Sequence, residues 1–94
     1  MKAQLLLNQR HQLADGAFME LVIWRVPTPV RGSKHTYKYR FALVENDLCT
    51  LRYDNEAGKG DHRHADGQEF AYEFVDMDTL IADFRAEVGA RRQK

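Results

Sequence analysis

The chain has 94 residues and a mass of 10.9 kDa, which is room for one domain because separate hydrophobic cores usually need about 100–200 residues each. With 44% hydrophobic and 30% charged residues, the composition is that of a globular protein and excludes disordered and fibrous classes. Lysine plus arginine and aspartate plus glutamate both number 14, so net charge alone does not point to nucleic acid or to a membrane surface. We predict a single domain over residues 1–94.

The charges are unevenly distributed along the chain. Residues 1–42 contain seven bases and two acids, a net +5, whereas residues 43–94 contain seven bases and twelve acids, a net −5. From Arg25 to Arg40 there are five bases and no acid. We therefore expect a basic surface that faces phosphates and a separate acidic surface that faces a protein partner.

The sequence also bears on location. No apolar run approaches the roughly 18–20 residues that span a bilayer, and the N-terminus lacks the apolar region of a secretory signal. The single cysteine, Cys49, cannot form an intrachain disulfide, which fits a reducing compartment. We expect a cytoplasmic protein with no membrane partner, in which Cys49 is a buried apolar residue.

Taken in chain order, the pattern begins with two strands, over about 3–9 and 18–26, which flank the hairpin signal Asp15-Gly16. The clearest strand spans about 36–44, where aromatic and aliphatic residues alternate with bases. One face of that strand is expected to be core and the other basic.

A fourth strand is predicted over about 48–53 and a fifth over about 69–75, separated by a loop over 54–68. The loop is inferred from three glycines and the absence of any aliphatic side chain larger than alanine. An apolar stripe at 3.6-residue spacing then predicts an amphipathic helix over about 77–90. The expected fold class is α+β: a five-stranded antiparallel sheet, twisted or closed into a partial barrel, with one C-terminal helix packed on it.

The predicted loop holds the residues with the most chemistry. If its backbone is extended, His62 and His64 project to one face and Arg63 to the other. Two histidines can supply the base and the acid for metal-independent cleavage of RNA. In that mechanism, Lys59 and Arg52 would neutralise the phosphate.

The residues alone leave two alternatives open. A divalent metal could be held by His62, His64 and one or two of the nearby aspartates Asp54, Asp61 and Asp66. The polar side chains could instead only close the loop by hydrogen bonds, with no chemistry. We expect no cofactor; if a metal is bound, its ligands would be His62, His64 and Asp61.

The candidate site residues form two groups. The candidate catalytic residues are His62, His64, Lys59, Asp54 and Asp61. The candidate nucleic-acid-binding residues are Arg25, Lys38, Arg40, Arg52 and Arg63. Tyr37 and Tyr39, which are interleaved with these bases, are either platforms for stacking a nucleobase or core residues.

Three segments carry a family resemblance: Trp24-Arg25-Val26-Pro27, Tyr37-Lys38-Tyr39-Arg40, and Arg52-Tyr53-Asp54-Asn55 leading into Gly58-Lys59-Gly60-Asp61-His62-Arg63-His64. Together they resemble the TumE-like family of small bacterial proteins, the toxins of two-gene toxin–antitoxin modules, and the similarity spans nearly the whole chain. The resemblance implies a small cytosolic protein that inhibits growth. It also implies a cognate antitoxin with a helix-turn-helix DNA-binding domain.

We therefore expect the toxin of a toxin–antitoxin module, acting as a small endoribonuclease whose loop histidines serve as acid and base. The ribonuclease step rests on analogy with other small toxins that are enzymes. The alternative is a non-catalytic nucleic-acid- or protein-binding module in which the Gly/His loop is structural. The expected partners are RNA and the cognate helix-turn-helix antitoxin, and a homodimer stays open.

Overall fold

A computed structural model describes residues 2–92 as an antiparallel sheet with one helix. The strands are Gln4–Gln12 (β1), Phe18–Arg25 (β2), Tyr37–Glu45 (β3), Leu48–Glu56 (β4), Gly60–Ala65 (β5) and Gln68–Ala71 (β6), and the helix is Met77–Arg92 (α1). The strands pair in the order β1-β2-β3-β4-β5-β6. The predicted α+β class is confirmed, and the sheet is open rather than a partial barrel.

The sheet has six strands, not the five predicted, because most of the predicted loop over 54–68 is strand. β4 continues through Glu56 and pairs with β5 from Leu51↔Ala65 to Glu56↔Gly60. The apolar alternation that marks a strand is missing here because the inward positions carry Asn55, Asp61 and Arg63. These polar side chains find hydrogen-bond partners inside the fold, so the backbone can be a strand without apolar residues.

The turn between β5 and β6 carries a signal that the loop prediction overlooked. Asp66 and Gly67 both have positive φ, 52° and 82°, as a two-residue turn of type I′ requires. The dipeptide Asp-Gly is a strong hairpin signal, and it marks this hairpin. β6 ends at Ala71, so the chain leaves the sheet earlier than the predicted strand over 69–75.

The two faces of the sheet differ in what covers them. On the face that α1 covers, called the helix face, the buried side chains are Leu21, Ile23, Tyr39, Phe41, Leu43, Leu51 and Tyr53. Leu80, Phe84 and Val88 of α1 belong to the same core, and the Phe84 ring centroid lies 5.5 Å from that of Phe41. The opposite face, called the open face, is not covered by α1.

A β-bulge overturns the expectation that Cys49 is buried. Leu43 pairs with Leu51, but Val44 pairs with Cys49, so Thr50 is an extra residue in β4. The extra residue turns Cys49 to the face opposite Leu51. Cys49 is therefore exposed.

Polar contacts fix both ends of α1. Asp76 Oδ1 accepts a hydrogen bond from the Thr79 N–H at 2.7 Å, and this bond lowers the pKa of Asp76. At the other end, Arg91 pairs with Asp66 and Arg92 with Glu45, which ties the helix to two hairpin turns. Within residues 2–92, no helix has the length and apolarity needed to cross a bilayer.

A carboxylate on α1 also holds β4 and β5 against the helix. Glu87 accepts hydrogen bonds from the Tyr53 hydroxyl and from Arg63 Nε, the latter at 2.8 Å. The Arg63 guanidinium lowers the pKa of Glu87, and burial together with the carboxylate raises the pKa of Tyr53. The ionised form of Glu87 is therefore the form that stabilises the fold.

We expect Glu87→Gln to lower the free energy of unfolding by about 1–3 kcal/mol, because it leaves partly buried donors poorly matched. Folding lowers the pKa of Glu87, so its contribution is fully present above the unfolded-state pKa of about 4.3 and is lost as the pH falls through the lower folded-state value. The difference between parent and variant should therefore shrink below about pH 4. Urea unfolding as a function of pH measures it.

The matched control is Glu73→Gln, since Glu73 is exposed and forms no salt bridge within residues 2–92. Its unfolding free energy should stay within about 0.5 kcal/mol of the parent. A Glu87→Gln effect that is constant from pH 7 to acid conditions would contradict the assignment.

Candidate functional site

A buried carboxylate anchors the β2–β3 connection, residues 26–36, to β5. Asp61 accepts hydrogen bonds from Ser33 Oγ at 2.8 Å, from His35 Nε2 at 2.8 Å and from the Tyr39 hydroxyl at 2.7 Å. Its side chain is 8% exposed, and a buried carboxylate is costly unless it is hydrogen-bonded. The three donors meet that requirement, and burial together with Asp61 raises the pKa of Tyr39 far above its ordinary range. These four residues are called the Asp61 cluster.

Asn55 extends the Asp61 cluster to β4. Its Oδ1 accepts the Tyr39 N–H at 3.0 Å, and its Nδ2 donates to the Tyr37 carbonyl at 2.7 Å and to Ser33 Oγ at 3.2 Å. Asn55 is 2% exposed. Its amide therefore replaces the strand pairing that would otherwise satisfy the start of β3.

His35 has no ring nitrogen left for chemistry. Its Nδ1 accepts the Tyr37 N–H at 3.1 Å, so the proton sits on Nε2, which donates to Asp61. The Phe74 ring stacks on the imidazole with a centroid distance of 3.8 Å. Both ring nitrogens of His35 are therefore engaged in holding the connection.

Two glycines allow the β2–β3 connection to touch the β4–β5 turn. A Cβ on Gly60 would lie 2.6 Å from the Gly32 carbonyl oxygen, and a Cβ on Gly32 would lie 2.6 Å from the Gly60 nitrogen. Both residues have positive φ, 99° for Gly32 and 76° for Gly60, a region that favours glycine. Gly60 of the Gly58-Lys59-Gly60 segment thus serves a close backbone contact with Gly32.

The open face brings together the side chains that point away from the Asp61 cluster. Residue 62 pairs with Asp54 and residue 64 with Arg52, so the four side chains share one face of β4 and β5. The ring centroids of His62 and His64 are 6.3 Å apart. The prediction that the two histidines lie on one face, with Arg63 on the other, agrees with this geometry.

The two open-face histidines have different surroundings. His62 Nδ1 lies 3.1 Å from the Gly60 carbonyl, which requires a proton on Nδ1 and leaves Nε2 as the acceptor of the neutral ring. His64 Nε2 lies 3.5 Å from Asp54 Oδ1 and 3.4 Å from Glu69 Oε2. A proton on that nitrogen therefore has two carboxylates beside it.

Asp54 connects His64 to a cation. Its Oδ2 accepts a hydrogen bond from Arg52 Nε at 2.9 Å, while its Oδ1 is buried and has no hydrogen-bond partner. Lys59 Nζ, in the turn before β5, lies 3.6 Å from Glu69 Oε2. Asp54 thus lies between Arg52 and His64, and Glu69 lies between Lys59 and His64.

Three predicted site residues lie elsewhere. Asp61 is turned to the helix face because strand alternation separates it from His62, so the metal set of His62, His64 and Asp61 does not converge. Arg63 is also on the helix face, where it pairs with Glu87. Arg25 lies over the Tyr37 ring, with its guanidinium carbon 5.2 Å from the centroid, and not beside Lys38.

Other combinations of side chains also fail to form a metal site in the part of the chain that the structure describes. Among residues 2–92, no group of three His, Cys, Asp or Glu side chains is placed to hold a metal ion. The open-face histidines instead combine with arginine and lysine.

Residues 2–92 match a family model described as Toxin TumE. The chain belongs to the TumE toxin family. Membership supports a role as a toxin, and a toxin of this kind has in general an antitoxin as its partner. No curated protein and no solved structure matches the chain.

The basic run of this TumE-family toxin differs from most of the other bases in the described residues, although Lys2 and Arg85 form no salt bridge there either. None of the five bases from Arg25 to Arg40 forms a salt bridge within residues 2–92, whereas Arg52, Lys59, Arg63, Arg91 and Arg92 all do. Lys38 and Arg40 are exposed on the open face. These salt bridges place acids next to bases over much of the fold. The expected division into a basic and an acidic surface is therefore limited to the charges that form no salt bridge.

A cleft of about 510 Å³ lies beside the Asp61 cluster and has Lys34, Lys59 and Phe74 among its lining residues. Its volume is in the range of ligand sites. However, two of its polar lining residues, Asp61 and His35, are already hydrogen-bonded to each other and to other residues of the chain. The open-face histidines of the TumE toxin are therefore better candidates for proton transfer than His35 and Asp61 in the cleft.

We expect Gly60→Ala to destabilise the toxin by about 1–3 kcal/mol more than Gly67→Ala, measured by urea unfolding. Both substitutions place alanine at a positive φ, 76° and 82°, at a similar conformational cost of about 1–2 kcal/mol. Only Gly60 has a backbone within 3.0 Å of the new methyl group, since nothing lies within 4 Å at Gly67. Equal losses would show that the contact with Gly32 tolerates a methyl group.

Proposed function

We propose that this TumE-family toxin is an endoribonuclease in which open-face His62 and His64 transfer the protons. One observation carries the proposal: the alternation of β4 and β5 places both imidazoles with Arg52 and Asp54 on the face that α1 leaves uncovered. Imidazoles titrate in the range where both proton removal and proton donation are efficient. The same face carries the unpaired cations Lys38 and Arg40.

The proposed reaction is an internal transfer at phosphorus. The ribose 2′-hydroxyl attacks the phosphorus while His62 Nε2 takes its proton. The bond from phosphorus to the 5′-oxygen breaks, and His64 Nε2 gives its proton to that leaving oxygen. The products are a 2′,3′-cyclic phosphate and a free 5′-hydroxyl, and no metal or cofactor takes part.

The contacts of each ring support this division of roles. His62 holds its proton on Nδ1 toward the Gly60 carbonyl, so Nε2 is the nitrogen that can accept a proton. His64 Nε2 lies 3.5 Å from Asp54 Oδ1 and 3.4 Å from Glu69 Oε2, so this nitrogen is the one that would carry and donate a proton in the proposed role. Arg52 and Lys59, held beside His64 through Asp54 and Glu69, would neutralise the charge that develops on the phosphate.

A specific observation also favours a second candidate, a non-catalytic module that blocks its target by binding. Five unpaired bases in sequence are sufficient to bind a polyanion without any chemistry, and the glycine and Asp61 contacts of the β4–β5 segment are structural. This candidate predicts that Lys38→Glu/Arg40→Glu abolishes toxicity while loss of the histidines does not.

The proposal also covers the partners of the toxin and its location in the cell. The resemblance of the motifs supports an antitoxin that carries a helix-turn-helix domain and a cytoplasmic site of action, whereas RNA as the target rests on the proposed acid–base site. A homodimer would be compatible with the two unpaired sheet edges, β1 and β6.

We expect His62→Ala and His64→Ala each to lower the rate of RNA cleavage about 10²–10⁴-fold, the usual contribution of a general acid or base. The assay is incubation of the purified toxin with total RNA, with and without EDTA. EDTA should leave the parent rate unchanged. Circular dichroism checks that the variants remain folded, since both rings are only partly buried.

The matched control is His11→Ala, because His11 lies on β1, away from β4 and β5, and its ring hydrogen-bonds to Gln9. It should cleave at the parent rate. Parent rates in both open-face variants would sink the acid–base mechanism, and inhibition by EDTA would point to a metal. Toxicity that survives both substitutions without RNA cleavage would select the binding module.

A further inference from the structure

Trp24 is the one tryptophan of the chain, and it remains 37% exposed on the open face. It pairs with Leu5 of β1, itself 45% exposed, and with Lys38 of β3. Covering so large a ring would be favourable by about 25 cal/mol for each Å² removed from water. An exposed apolar patch of this kind often marks a binding surface.

The two tyrosines within the basic run, Tyr37 and Tyr39, cannot serve as stacking platforms, contrary to one of the sequence-based alternatives. Tyr39 is 2% exposed and its hydroxyl is bound to Asp61. Tyr37 lies on the helix face with the Arg25 guanidinium over its ring. Trp24 is instead exposed and lies directly opposite Lys38 in the strand register, whereas Phe18, on the same face of β2, is covered by the Arg10 guanidinium.

The charges next to Trp24 identify the class of occupant. Lys38 is its cross-strand neighbour, and Arg40 follows two residues later on the same face. Neither forms a salt bridge within residues 2–92. An apolar ring beside two cations without counterions matches a nucleobase with its phosphates better than an apolar protein surface.

Successive cross-strand neighbours on the open face form a row that leads from Trp24 to the proposed catalytic pair. In the strand register, Arg40 lies opposite Asp54, and Asp54 lies opposite His62. Trp24 on β2 and His62 on β5 are separated by three inter-strand spacings and by about two residues along the strands, which amounts to roughly 16 Å. A chain of several nucleotides that crosses the strands would contact both ends of this row.

We propose that Trp24 stacks on an unpaired base of the bound RNA, so that the substrate is single-stranded. This inference rests on the proposed function and adds the substrate class to it. A duplex keeps its bases stacked on one another and presents mainly backbone and minor groove. It would offer the indole no free base face.

The test uses the His62→Ala/His64→Ala variant of the full chain, which should bind RNA without cleaving it. Fluorescence of Trp24 and anisotropy of a fluorescein-labelled oligouridylate are measured in the same titration. Single-stranded RNA should quench the indole emission as the anisotropy rises. Trp24→Ala in this background should weaken binding about 5- to 100-fold, the equivalent of one stacked base, and Trp24→Phe should lose less.

Phe70→Ala is the matched control. Phe70 is also an exposed aromatic residue, at 43%, but its neighbour Arg63 is already paired with Glu87. The Phe70→Ala variant of the His62→Ala/His64→Ala protein should bind the oligouridylate with the same affinity as the His62→Ala/His64→Ala protein itself. The quenching measurement needs no substitution at Trp24, so it stands even if Trp24→Ala does not fold.

The possible failures are distinguishable. Oligouridylate that binds without quenching, and equally well to Trp24→Ala, overturns the stacking site but leaves the nuclease proposal standing. Equal affinity and quenching with a duplex of the same length overturns the single-strand assignment. Quenching by the antitoxin but not by RNA makes the patch a protein interface, and no RNA binding at all overturns the proposed function as well.

Discussion

Burial of the Asp61 carboxylate constrains the rest of the structure. Three donors from the β2–β3 connection and from β3 converge on it, and without them the charge would be costly in this position. They hold Asp61 on the helix face, and alternation along β5 then obliges its neighbour His62, and with it His64, to face the open side. The geometry of the histidine pair is thus a consequence of an anchor that takes no part in the chemistry.

The segment from Arg52 to His64 consequently has two separate roles, divided by face. Asn55, Asp61 and Arg63 bind other parts of the fold. The alternating strand positions Arg52, Asp54, His62 and His64 stay on the open face. Loss of toxicity on substituting a helix-face residue would report unfolding and not catalysis. Among residues of one motif, only the open-face positions can separate chemistry from stability.

Sequence reasoning reached the fold class and the shared face of the two histidines, because both follow from local periodicity. It missed β5, since the inward positions of that strand are polar and their partners lie far away in the chain: Ser33 and Asp61 are 28 residues apart. It also placed Asp61, Arg63 and Arg25 with the site because their charge suggested it. Which face a charged residue takes depends on long-range partners that spacing does not reveal, although Asp66-Gly67 did signal the last hairpin.

The equal totals of acids and bases hide how the charges are used. In the second half of the chain, bases find acids close at hand and are largely consumed in structural pairs such as Arg63 with Glu87. The first half has two acids, and one of them, Glu20, is already bound to Arg10. The bases from Arg25 to Arg40 therefore keep their charge available to a ligand. A neutral protein can in this way present a local cationic surface, and since attraction is screened within about 8–10 Å at physiological salt, a phosphate beside Lys38 and Arg40 responds to those charges and not to the total.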